Sequence, residues 1–203
     1  MAVKLTSIAA AVVLADVEVF FVAFAMLALY KEKLTPLCVV GILVTFAGSV
    51  AIAAGDSAGA GGSLAGDLWA LSAAFFMSIY TLMGRRCREH MSTGSYTAVV
   101  YWATALTSLL LLAVQGTPVL GYAPADIACA FGMTILCTLL GHSLFSWGLK
   151  FVSPSFISAA KLLEPVFASV LGTFFFAEIP GLPAAVGGAV VIGGIWLISR
   201  ATK

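Results

Sequence analysis

Charge is what this chain has least of. Only 9% of its 203 residues are Asp, Glu, Lys or Arg, against roughly 25% in a soluble domain. With 62% apolar residues and a mean hydropathy of +1.10, it has too few polar groups to cover a water-facing exterior, which excludes a soluble globular fold. A net charge of +1 supplies no basic field for nucleic acid. The cysteines, Cys38, Cys87, Cys129 and Cys137, form no CxxC pair and no metal-ligand spacing, so neither a disulfide framework nor a metal site is expected. HExxH is missing, and with it the signature of a zinc protease. The chain is not read as an enzyme, and no cofactor is called for. Its first apolar run, about 25 residues, is too long for the core of a cleavable signal.

Long apolar runs are what it has instead. A helix needs about 20 apolar residues to cross a bilayer, and seven stretches qualify: roughly 6–30, 36–54, 66–84, 96–114, 126–149, 154–177 and 182–199. The expected fold class is all-α integral membrane with seven spanning helices. Basic residues alternate between the connections. Lys31 and Lys33, then Arg85, Arg86 and Arg88, then Lys150, then Arg200 and Lys203 follow every second helix, while 55–65, 115–125 and 178–181 contain no Lys or Arg. Basic loops stay on the cytoplasmic side, so the C-terminus is placed inside and the N-terminus outside, in a bacterial cytoplasmic membrane. Arg85, Arg86 and Arg88 read as topology anchors in a solvated turn, and Ser92 or Thr93 as the cap of the next helix.

Four of the five glutamates form two pairs with one offset. Glu18 matches Glu164 and Glu32 matches Glu178, each 146 residues on, and the same offset carries Ser7 to Ser153, Gly41 to Gly187, Gly48 to Gly194 and Ile52 to Ile198 without a gap. A two-helix unit therefore occurs twice. Five helices separate the copies, an odd number, so they cross the bilayer in opposite directions, a device of secondary transporters whose halves open a central site alternately to either side. Read this way, the chain has the last two helices of one repeat at 1–54, a Gly-rich external linker at 55–65 and a complete five-helix repeat at 66–200.

Ionisable groups in mid-membrane are functional by default. Asp16 and Glu18 fall in the first helix, Lys161 and Glu164 in the sixth. Lys161 and Glu164 are three apart and on one helical face, so they are expected to pair, which leaves Glu18 as the better proton carrier. Asp16 and Glu18 are two apart and do not easily share a partner. Pro165 removes the backbone bond that Lys161's carbonyl would accept, which predicts a kink beside the acid–base pair; copy one has Val19 at that place. His142, Trp147 and the deeper Trp102 are further candidates for solute or proton contact, while Trp69, Tyr122 and Trp196 suit aromatic belts at the interfaces. Gly187, Gly188, Gly193 and Gly194 form a small-residue face for close helix approach.

The run SWGLKFVSPSFISAAKLLEPVFASVLGTFFFAE, followed by paired glycines, resembles the EamA-type permeases of the drug/metabolite transporter superfamily. Residues 6–52 resemble the end of that family's first repeat. The resemblance implies an inverted-repeat fold of five plus five helices, a central cavity, and export or exchange of small metabolites, amino acids or drugs. It carries Glu164, Pro165, Glu178, Gly187 and Gly194 in copy two and Glu32, Gly41 and Gly48 in copy one, as residues of structural weight. On this scheme the first three of ten helices are absent. The expected partners are a small-molecule solute and membrane lipid, with a homo-oligomer or a further segment supplying the other helices. Other classes are a non-transporting remnant or partner subunit of a split permease, and a retinal protein. The second leaves the repeat around Lys161 and Glu164 unexplained.

Overall fold

The computed structural model describes residues 5, 8–31, 34–56, 63–176 and 181–201. Every element among them is helical: α1 (Ile8–Asp16), α2 (Glu18–Leu29), α3 (Pro36–Asp56), α4 (Leu64–His90), α5 (Thr93–Gln115), α6 (Pro124–Met133), a π-helical segment (Thr134–His142), α7 (Ser143–Gly148), α8 (Pro154–Lys161), α9 (Glu164–Phe176) and α10 (Leu182–Ala201). Six stretches are long and apolar enough to cross a membrane: Ala11–Leu29, Pro36–Ala54, Leu64–His90, Thr93–Gln115, Pro124–Gly148 and Leu182–Ala201. The expected seventh continuous span, 154–177, is instead two half-helices, α8 and α9. Leu162 and Leu163 donate to carbonyls three residues back, those of Ala159 and Ala160, each at 3.1 Å. Pro165 has no N–H for the carbonyl of Lys161, so the regular ladder cannot run through the site.

The same break occurs in the first span. Val17 is a single turn residue between α1 and α2, and its carbonyl accepts from Phe20 at 3.0 Å. Under the 146-residue offset Val17 corresponds to Leu163. The boundaries of α1, α2, α3 and those of α8, α9, α10 agree with the offset to about one residue, so the repeat holds at the level of elements.

Two units are described, each by itself. One is drawn from residues 1–82 and 153–203, the other from 83–152. The first is built around α3 and α10. An added Cβ on Gly41 would lie 2.6 Å from Ile198 and 3.0 Å from the Gly194 carbonyl, and one on Gly48 would lie 2.7 Å from the Gly187 carbonyl and from the nitrogen of Val191. Every contact has its mirror: Gly187 against Ile52 and Gly48, Gly194 against Thr45 and Gly41. Low numbers on one helix meet high numbers on the other, so α3 and α10 cross antiparallel, with a self-complementary contact like that of a two-fold dimer. Glycine is required because backbone touches backbone, which is how membrane helices gain packing without a hydrophobic drive. Gly188 meets Val166 at ordinary contact distance, and Gly193 meets nothing within 4 Å, so the small-residue face serves packing only in part. Around this seam Val19, Ala23, Ile42, Ala159, Leu162 and Ile198 form a buried apolar core.

The second unit corrects the reading of the basic turn. α4 runs to His90, six residues beyond the expected span end, so Arg85, Arg86 and Arg88 are helical. Arg86 is exposed. Arg88 is 2% exposed, where a solvated anchor was expected. Its Nε donates to the Ser146 carbonyl at 2.9 Å, one terminal nitrogen to the Met91 carbonyl, and the other to Thr93 Oγ1 at 2.6 Å. Carbonyls at two helix C-termini thus stand in for a carboxylate. Ser92 caps α5 as expected, accepting from Ser95 N at 3.1 Å. Tyr101 donates to the Thr138 carbonyl at 2.8 Å and lies 3.0 Å from Ser143 Oγ, tying α5 to the π segment.

Candidate functional site

The first unit places four of the expected polar residues at the helix breaks. Glu18 is the first residue of α2 and Glu164 the first of α9, so each acid sits at the positive end of a half-helix. Lys161 is the last residue of α8. Its partner is Glu18 and not Glu164: Nζ lies 2.8 Å from Glu18 Oε1 and 3.1 Å from Oε2. The three-residue spacing would pair Lys161 with Glu164 only on a continuous helix, and the turn at Leu162–Leu163 removes that shared face. The ion pair therefore joins one copy of the repeat to the other.

Thr81 of α4 completes the group. Its Oγ1 donates to Glu18 Oε1 at 2.7 Å and accepts from Lys161 Nζ at 3.2 Å. Glu18, Thr81 and Lys161 form a closed ring. Asp16 turns elsewhere, accepting from Ser49 Oγ of α3, as expected of two acids that face different ways. The charged groups acting on Asp16 are Glu164 and Glu18. Glu164 itself is exposed and makes no hydrogen bond or ion pair among the described residues.

Sequence reasoning missed Ser49 and Thr81. A signal for both exists in the structure alone. Hydroxyls on the apolar helices bond back to their own helix: Thr45, Ser72, Thr97, Thr104, Thr107 and Thr134 each donate to the carbonyl four residues earlier. That is the ordinary way to satisfy a hydroxyl in lipid. Ser49 and Thr81 instead reach an acid on another helix.

The remaining candidates lie in the second unit. Trp102 is 71% exposed, His142 ends the π segment and is exposed, and Trp147 is exposed and packs against Phe151, with ring centroids 4.8 Å apart and planes tilted by 48°. Glu32 and Glu178 lie outside the described residues. Pro165 sits at the second position of α9, and Gly41, Gly48, Gly187 and Gly194 form the α3–α10 seam described above. Groups of three or more His, Cys, Asp or Glu placed to hold a metal are not found among the described residues.

Comparison with known proteins adds to this geometry. Residues 64–200 match the EamA-like transporter family. An uncharacterised transporter of Clostridium kluyveri is 29% identical over 194 residues, covering 93% of this chain and 60% of its own length. The uncharacterised transporter YxxF of Bacillus subtilis is 28% identical over 176 residues, covering 83% of this chain and 54% of its own. The chain thus spans just over half the length of these relatives. A protein crystal structure with 23% identity shares the fold, with a TM-score of 0.81 over 99% of this chain and 70% of that one.

Proposed function

Since this chain belongs to the EamA-like transporter family, we propose that it moves small metabolites, amino acids or drugs across the membrane as a secondary transporter, an exporter or exchanger working by alternating access. The family is one of transporters and not of enzymes. The observation that carries the reading is the equivalent break in both copies, pinned across the repeat by Lys161 and Glu18. Broken helices at the repeat interface are where transporters place solute and coupling-ion sites.

On this reading the chain divides at 55–65 into the end of one inverted repeat and a complete second one, with the C-terminus cytoplasmic. The antiparallel seam of α3 and α10 is the axis about which the copies exchange conformations. In the state described, α2 packs against α8 and the ion pair holds them. The opposite state would bring α9 onto α1, where Glu164 takes the place of Glu18 and Ala15 that of Lys161. The equivalent of Lys161 there is uncharged, so a solute or a proton takes the part of the cation beside Asp16 and Glu164. The solute site is assigned to Asp16, Glu18, Lys161 and Glu164.

A growth panel of toxic metabolite analogues and drugs tests the assignment. Expression should raise tolerance to at least one compound, and Lys161→Ala should abolish the gain. Tolerance that survives in Lys161→Ala would move the site elsewhere.

A further inference from the structure

Thr81 stands apart in two ways. It is 1% exposed, the most enclosed polar group on a stripe of small buried residues along α4 that includes Gly66, Ala70, Ala74 and Ser78. Its hydroxyl also forgoes its own helix. Ser78, one turn before it, bonds back to the Phe75 carbonyl at 2.7 Å, while Thr81 spends its single proton on Glu18 and offers its lone pair to Lys161. The hydroxyl thus serves both members of the pair at once, and the ring holds them in one geometry.

We propose that Thr81 is a positioning residue of the transport cycle: its hydroxyl locks the Glu18 carboxylate onto the Lys161 ammonium and so sets how readily that pair opens. This rests on reading the pair as part of the transport path. Neither side chain is in an ion pair with another cation or acid among the described residues; the other charged residues at the helix breaks are Asp16, last of α1, and Glu164, first of α9. Any solute group that replaces Lys161 at Glu18, or Glu18 at Lys161, must first break the bond to Thr81. The residue belongs to neither copy of the two-helix unit, so it gives α4 a direct hold on the junction between them.

The test needs no solute. Purified protein in liposomes is treated with a hydrophobic carbodiimide, which captures carboxyl groups that leave their ion pair, and the adducts on Glu18 and Asp16 are separated by fragment-ion mass spectrometry. Charged-group hydrogen bonds are worth enough that Thr81→Val should raise Glu18 modification roughly ten-fold. Thr81→Ser, which keeps the hydroxyl, should stay at the wild-type level, and Asp16 modification should be unchanged in both. The proposal is overturned if Thr81→Val leaves Glu18 protected, if Thr81→Ser behaves like Thr81→Val, or if Asp16 modification rises alongside, which marks general loosening. Because no transport is measured, loss of the Thr81 effect overturns the proposal and leaves the transporter reading intact, whereas a Thr81 effect in a protein that separately fails to catalyse counterflow tells against the transporter reading alone.

Discussion

Gly48 of α3 and Gly187 of α10 face each other backbone to backbone, and a methyl group on either would lie 2.7 Å from the carbonyl oxygen of the other. Neither carbonyl can give way without moving a helix. Gly48→Ala and Gly187→Ala should each cost about 1–3 kcal/mol, the usual price of overpacking. Gly193→Ala, with nothing within 4 Å, should be neutral or gain up to about 1 kcal/mol of helix propensity. Thermal unfolding in detergent separates the two outcomes.

Lys161 and Glu18 should show the signature of a buried pair. Either Lys161→Met or Glu18→Gln leaves its partner's charge or hydrogen bonds uncompensated, at a cost of about 3 kcal/mol. The double variant should lose less than the sum of the singles, because no lone charge remains. Unfolding midpoints of the four proteins give the coupling directly.

Arg88 should matter to stability far more than its neighbour. Arg88→Ala strands the Ser146 and Met91 carbonyls, and a loss of about 2–4 kcal/mol is expected, while the exposed Arg86→Ala should stay within about 0.5 kcal/mol. Arg88→Lys should not rescue, since one ammonium cannot reproduce the planar fork that spans three acceptors. The same unfolding measurement checks all three.

Much of this architecture is legible in the chain. Glu18 with Glu164 and Gly41 with Gly187 fix an offset that predicts element boundaries to about one residue, because identical packing demands recur at equivalent places. Pro165 announces the break in copy two through its missing N–H. The break at Val17 has no such mark, since neither proline nor glycine stands there; it is held by tertiary bonds from Asp16 to Ser49 and from Glu18 to Thr81. Pairing Lys161 with Glu164 fails for the same reason, because spacing rules presume a continuous helix. Arg88 misleads through composition: a cluster of charge reads as a wet turn, whereas α4 continues to His90 and folds the guanidinium inward.

Solute counterflow tests the central claim most directly. Liposomes containing the protein, loaded with an unlabelled amino-acid mixture and diluted into its isotope-labelled counterpart, should accumulate label transiently, and Glu18→Gln should reduce the initial rate at least about ten-fold. Label entering Glu18→Gln vesicles at the wild-type rate would contradict a transport path through the Glu18–Lys161 junction.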